Sequence, residues 1–237
     1  SGNFSYNKNK VVSLGQNTEF QITGNGGVNL TNSGQSIGYF YGYRQIGIYQ
    51  TAKEMLNMAQ FPNSQLGDIA YEDINGDGVI SSADRTILGN PFPDFTYGIT
   101  NSFSYSNFDF AFTLQGVQGV EVLNLARRYY GNYAGLYNVL KSTTNGWVSE
   151  SQPGDGITPM IDRNFNNYAG STVINNVTSN FVEDGSFLRL NNLTLGYSLP
   201  KNVISSIGMT KLRVYATVYN AFLWTKYSGY DPEVSST

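Results

Sequence analysis

Apolar and polar residues alternate with a two-residue period along most of the regular stretches of the chain, the pattern of strands with two unlike faces. The clearest case sets Tyr97, Ile99, Phe103 and Tyr105 against Gly98, Thr100, Ser102 and Ser104, with Asn101 a polar exception on the apolar side. Ser106-Asn107 reads as a tight turn, and the return places Phe108, Phe110, Phe112 and Leu114 opposite Asp109, Ala111, Thr113 and Gln115. Two long strands joined by a short turn predict an antiparallel hairpin. Phe181 to Leu199 predicts another long strand, whose second half alternates Leu193, Leu195, Tyr197 and Leu199 with Asn192, Thr194, Gly196 and Ser198. Lys211 to Phe222 returns, with Leu212, Val214, Ala216 and Val218 against Arg213, Tyr215, Thr217 and Tyr219. Asn3 to Leu14 predicts a further strand with Phe4 and Tyr6 on one face.

Between these strands the pattern breaks. Gly15 to Gly34 is rich in turn residues, and Gly38 to Tyr49 is an extended Gly/aromatic segment. Thr51 to Ala59 predicts a short helix, capped by Thr51 with Glu54 three residues on and stopped by Pro62. Gly116 to Ser179 reads as a long irregular stretch, with helical character over Asn124 to Tyr137. Tight turns at one end of the strands and long connections at the other are the habit of outer-membrane barrels.

Composition sharpens this. Charged residues make up 13 % of the chain, against about 25 % in an average soluble domain, and Tyr (18) and Phe (14) are abundant. The polar strand faces carry small residues, as a wet lumen allows, while Tyr and Phe crowd the ends of the apolar faces, as an interfacial girdle does. No apolar run is long enough for a membrane helix. The fold class predicted is all-β, a segment of a large antiparallel transmembrane barrel with long extracellular loops. With a net charge of −3, the chain has no electrostatic footprint for nucleic acid. It contains neither Cys nor His, which removes disulfides, thiolate metal sites and His-based acid–base chemistry. Glu183 and Asp184, the one carboxylate pair a glycosidase could be imagined on, are strand neighbours and point to opposite faces. The chain is therefore expected not to be an enzyme.

One stretch carries a specific chemistry. Asp73, Asn75 and Asp77 alternate, Gly78 follows where a calcium loop turns sharply, Val79 offers its carbonyl, and Asp84 closes the series. This is the EF-hand spacing with Asp in the last position. Calcium takes six to eight oxygens, and this set supplies side-chain and carbonyl oxygens converging on one point. The flanks, Leu66 to Glu72 alternating like a strand and Arg85 to Pro91 turn-prone, lack the helix pair of a sensor. The expected role is a staple, with Ca2+ held by Asp73, Asn75, Asp77, Val79 and Asp84.

The chain also resembles a known family. Phe40-Tyr41-Gly42-Tyr43 with Gly47-Ile48-Tyr49-Gln50, Gly67-Asp68-Ile69 leading into Asp73 to Ile80, Asp84 to Pro91, Pro93 to Gly98, Phe181 to Leu190, Leu195 to Pro200 and Tyr230-Asp231-Pro232-Glu233 follow the motif order of the SusC/RagA-like TonB-dependent outer-membrane transporters. The resemblance implies that residues 1–237 are the C-terminal part of a plugged barrel of about 22 strands, with the plug domain and the closing strand outside this sequence. It further implies an outer-membrane location in contact with lipid, uptake of an oligosaccharide or peptide, energy from TonB through the missing N-terminal region, and a SusD-like surface lipoprotein as lid. Tyr129, Tyr130, Tyr133, Tyr137 and Trp147 are candidates for stacking on cargo or for packing the long loop on itself. The alternative reading is a soluble secreted β module whose dockerin-like calcium loop serves glycan or protein binding.

Overall fold

The computed structural model describes residues 1–15, 18–24, 27–127, 138–161 and 177–233. In chain order the strands are β1 (Gly2–Tyr6), β2 (Phe20–Thr23), β3 (Asn29–Asn32), β4 (Tyr39–Gly42), β5 (Gln45–Ile48), β6 (Ile69–Tyr71), β7 (Thr86–Gly89), β8 (Phe95–Tyr105), β9 (Phe108–Gln118), β10 (Glu121–Leu123), β11 (Val182–Asp184), β12 (Phe187–Ser198) and β13 (Arg213–Thr225). Among the described residues, the short α-helices α1 (Ala52–Asn57) and α2 (Lys201–Ile204) accompany them. The chain folds as two compact units.

The first unit comprises, among the described residues, 1–8, 92–121 and 184–233. Its five strands form one sheet in the order β1-β8-β9-β12-β13, every neighbour antiparallel. The register lines up the apolar residues: Phe103 faces Phe110, Phe110 faces Leu195, and Leu195 faces Ala216. The alternation read from the sequence thus becomes one continuous apolar face across five strands. That face is uncovered, with Phe103 at 55 %, Phe108 at 54 %, Leu195 at 55 % and Trp224 at 53 % exposure. An apolar surface of this extent is unfavourable in water and is what a lipid-facing sheet presents. The four long strands run 11, 11, 12 and 13 residues, enough for a tilted span of about 9–11. No helix among the described residues is long and apolar enough to cross a membrane.

The expected strand Phe181–Leu199 divides at Gly185-Ser186 into β11 and β12. Within β12 the pairing to β9 steps from Leu190–Leu114 to Asn192–Thr113, so Asn191 is an inserted residue. The same position is irregular against β13, where Asn220 takes a φ of 49°. This bulge keeps Leu188 and Leu190 on the same face as Leu193, although they stand out of phase in sequence. Bulges of this kind add local twist and bend the strand. One end of the sheet is closed by the Ser106-Asn107 turn, with Ser106 at φ 54°, and by the α2 connection, where the Leu199 amide donates to the Leu212 carbonyl at 2.9 Å. At the other end β9 continues into the long stretch that precedes β12.

The second unit comprises residues 9–91 and 122–183. The expected strand Asn3–Leu14 stops at Tyr6. Asn9 and Val11 leave the strand line because they fasten another turn: Asn9 Oδ1 accepts from Ser36 Oγ (2.7 Å) and the Ile37 amide (2.9 Å), and the Val11 amide donates to the Gln35 carbonyl (2.8 Å). A four-stranded sheet, β2-β3-β4-β7, and the pair β5-β6 build the unit. Helix α1 is shorter than expected. Thr51 caps it through the Glu54 amide, and Glu54 reaches back to the Gln50 amide. Two apolar clusters fill the interior. Val28, Phe40, Leu123 and Val177 form one, and Tyr43, Ile69, Tyr71 and Ile80 form the other with Ala59 and Phe61 against it. Tyr49 is fully buried, its hydroxyl donating to the Ala59 carbonyl at 2.7 Å, and burial pushes its pKa up to about 12.

Candidate functional site

The Asp73–Asp84 loop lies between β6 and β7 and winds around its own side chains. Asp73 Oδ1 accepts from the Gly76 amide (2.7 Å) and Oδ2 from the Gly78 amide (2.8 Å). Asn75 Oδ1 accepts from the Asp77 amide (3.0 Å), Asn75 Nδ2 donates to Asp77 Oδ2 (2.9 Å), and Asp77 Oδ1 accepts from the Val79 amide (2.8 Å). Gly76 and Gly78, at φ 74° and 82°, take the left-handed turns that this winding needs. Asn75, Asp77 and Val79 are exposed, whereas Ile80 is 1 % exposed and its amide donates to the Gln60 carbonyl at 3.1 Å. The loop is therefore a polar rim pinned to the tyrosine cluster by one isoleucine.

Asp84 plays a different part from the other acids. It is completely buried; Oδ1 accepts from the Ile74 amide (3.0 Å) and Oδ2 from the Ser81 amide (2.7 Å), so the carboxylate ties the two ends of the loop together. The donor chemistry of Asp73, Asn75, Asp77 and the Val79 carbonyl suits a hard cation. The acids are spaced as a loop braced by its own amides, and among the described residues no three acidic side chains gather closely enough to hold a metal. Burial raises the pKa of Asp84, but amides from Ser81, Ile74 and Asn75 outweigh it and hold the carboxyl below its ordinary value. A folded-state pKa below the unfolded one means that the brace is fully present above about pH 4, the unfolded value. The contribution is lost as pH falls through the lower, folded value. Amide-exchange protection at Ile74 and Ser81 should hold from pH 6 to 4 and drop below that. Asp84→Asn should weaken protection at pH 6 and flatten its pH dependence; a curve parallel to the wild type's would contradict the brace.

The polar face of the five-stranded sheet carries charges as well as the small residues expected. Arg213 on β13 reaches across β12 to Asp109 on β9, its Nε donating to Oδ1 at 2.9 Å. It passes over Gly196, where a Cβ would sit 2.5 Å from both partners. At the other end of that face Arg189 binds Asp231 (2.7 Å) and Glu233 (2.9 Å). Gln115 Nε2 adds a contact to Glu233 at 3.3 Å, and Asn191 Nδ2 donates to Gln115 Oε1 at 2.8 Å. These pairs went unseen in the sequence because they depend on register. Their only signal was that Asp109, Gly196 and Arg213 shared the polar phase of their strands. In the second unit, Glu183 Oε1 accepts from Asn124 Nδ2 (3.0 Å) and Arg127 (3.3 Å), while Asp184 in the first unit accepts from the Ser186 amide.

Of the candidate stacking aromatics, Tyr129, Tyr130, Tyr133 and Tyr137 lie outside the described residues. Trp147 packs within its own unit: its indole N–H donates to the Gln50 carbonyl at 3.1 Å, and its ring lies against Gly67, where a Cβ would come within 2.5 Å.

No family model matches the chain. Among curated proteins, TonB-dependent receptor P3 of Formosa agariphila is 34 % identical over 98 % of the chain and 23 % of the receptor. TonB-dependent receptor SusC of Bacteroides thetaiotaomicron is 28 % identical over 100 % of the chain and 22 % of its own length. Among solved structures, the RagAB peptide transporter superposes with a TM-score of 0.72 at 23 % identity, over 98 % of the chain and 24 % of that chain. The chain is thus similar to TonB-dependent receptors, SusC among them, and shares the fold of the RagAB transporter. It spans about a quarter of the length of the relatives it matches. Its fold is that of a β-barrel segment of such outer-membrane receptors. The uncovered apolar face, with Phe103, Phe108, Leu195 and Trp224, is then the face such a receptor turns to lipid. The relatives are named as receptors and transporters, not as enzymes.

Proposed function

We propose that this chain is the strand-and-loop portion of an outer-membrane nutrient importer, taking up an oligosaccharide or a peptide. In this reading TonB energises transport through a region outside these residues, and a SusD-like lipoprotein closes the cell-surface side. The single observation that carries the reading is the two-faced sheet, apolar and uncovered on one side and lined by small polar residues and paired charges on the other. Such a sheet separates lipid from an aqueous path, and transport through it is gated binding rather than bond chemistry. The experiment is uptake of labelled oligosaccharide and labelled peptide by cells bearing the whole receptor, with TonB present or deleted. TonB-dependent accumulation of either supports the reading. A species of 26.1 kDa that stays in solution without detergent would instead leave the soluble calcium-stapled module.

In the same reading Asp73, Asn75, Asp77 and the Val79 carbonyl hold Ca2+, with Asp84 bracing or joining the set. The ion orders the loop on the cell-surface side before cargo arrives. At a calcium concentration about 100-fold above its Kd the gain is about 2.7 kcal/mol. Limited proteolysis of the whole receptor should cut within residues 73–84 faster in EDTA than in calcium. Asp73→Ala should cut at the EDTA rate in either buffer while still inserting in the membrane. Equal cleavage of the wild type with and without chelator would remove calcium from the reading.

A further inference from the structure

Arg189 stands on the polar face of β12 and is only 8 % exposed, yet its guanidinium is incompletely used. Both carboxylates that bind it, Asp231 and Glu233, contact the same terminal nitrogen, and its Nε–H is buried with no hydrogen-bond partner. These carboxylates arrive on the segment that leaves β13, residues 227–233. That segment folds back with Tyr227 packed on Gly229 and Pro232 buried, and it leaves Tyr230 wholly exposed. The arrangement has a physical consequence. A guanidinium buried to this degree is strongly destabilised without an anion, so the segment cannot lift off unless another anion replaces it. An incoming carboxylate could take Nε–H and the terminal N–H together, the bidentate side-on geometry that the strap itself does not achieve.

We propose that residues 227–233 form a strap latched to Arg189 and that a carboxylate-bearing cargo opens it by exchange, taking the guanidinium from Asp231 and Glu233. The chemistry recognised is a free carboxylate, whether a peptide C-terminus or a uronate sugar. The proposal rests on the polar face being the transport path. Gln115, bonded to both Glu233 and Asn191, carries the strap's position into the sheet.

The test uses the full receptor with Tyr230→Cys carrying a spin label, these residues having no other Cys. Trialanine, trialanine amide and trigalacturonate are titrated at constant ionic strength. The label should move less without ligand and gain mobility with trialanine or trigalacturonate, whichever the receptor accepts, but not with the amide. In D231N/E233Q it should be mobile from the start, and the effective carboxylate should bind about tenfold tighter, because its competitors are gone. A strap that is merely structural predicts no gain in affinity. Should the double variant fail to insert, E233Q alone, which keeps Asp231 on Arg189, should tighten binding about threefold by the same competition. Mobilisation by the amide as well, no response to either carboxylate, or unchanged affinity in the variants would overturn the latch. Cargo uptake is measured separately in cells: carboxylate-dependent release of the strap with no uptake would retire the importer reading and leave the exchange intact.

Discussion

Gly42→Ala should collapse the packing of the second unit while leaving the five-stranded sheet intact. Gly42 ends β4, and a Cβ built on it would lie 2.0 Å from the Val177 carbonyl oxygen and 2.8 Å from its carbon. These are backbone atoms, so no rotamer change relieves the contact. The Tyr43 amide donates to that same carbonyl at 2.9 Å, and the Ser179 amide returns to the Tyr43 carbonyl at 3.0 Å. Val177 is completely buried in the cluster with Val28, Phe40 and Leu123. Parting the two segments by the ångström or so required would cost these hydrogen bonds and open a dense cluster. Overpacking alone costs about 1–3 kcal/mol, and each lost hydrogen bond adds about 1. Amide exchange in the whole receptor should show Tyr43 and Ser179 losing protection, with β8 and β9 unchanged. Gly98→Ala is the comparison: its Cβ would meet only the side chain of Asn3, at 2.6 Å from Oδ1, which can swing away. If both variants exchange alike, the close approach at Gly42 does not matter.

The contrast between these two glycines shows what was legible in advance. Strand faces were, because a period of two needs no knowledge of partners. Phe108, Phe110 and Phe112 declare a common side whatever they pair with. The bulge at Asn191 was written in the sequence as the phase slip from Leu190 to Leu193, but strict alternation reads a slip as the end of a strand. Gly42 stood in a run of aromatics and gave no sign of Val177, which is far away in the chain. The charged pairs hid for the same reason. Arg189 with Asp231 and Glu233, and Arg213 with Asp109 over Gly196, are properties of register, which single-sequence periodicity does not set. At the Asp-rich loop the spacing grouped Asp73, Asn75, Asp77, Val79 and Asp84 and gave them all one role. The fold splits that role in two. Asp73, Asn75 and Asp77 shape the exposed rim, while Asp84 sinks into the interior as a brace.

That division leads to Ile80→Ala, which should loosen the Asp-rich loop more than loss of any single rim acid. Ile80 is 1 % exposed and packs with Tyr43, Ile69 and Tyr71, the two tyrosines being in edge and tilted contact with each other and with Phe61. Truncation to Ala leaves a cavity among rings that cannot close over it, at a cost of about 2–5 kcal/mol, whereas Ile80→Val costs about 0.5–1.5. The residue sits between Val79, the carbonyl of the calcium proposal, and Ser81, whose amide holds Asp84. A loosened Ile80 therefore frees both halves of the loop. Two measurements separate packing from ion binding. Amide exchange at Ser81 in the whole receptor should accelerate strongly in Ile80→Ala and weakly in Ile80→Val. If the loop binds calcium, saturating calcium at about 100-fold over Kd supplies about 2.7 kcal/mol, enough to cover the valine deficit but only the low end of the alanine range. Protection at Ser81 should then recover fully in Ile80→Val and partly in Ile80→Ala. Recovery in neither would make the loop a braced turn held by its core alone. Wild-type exchange in Ile80→Ala would mean that the rim, not the isoleucine, positions it.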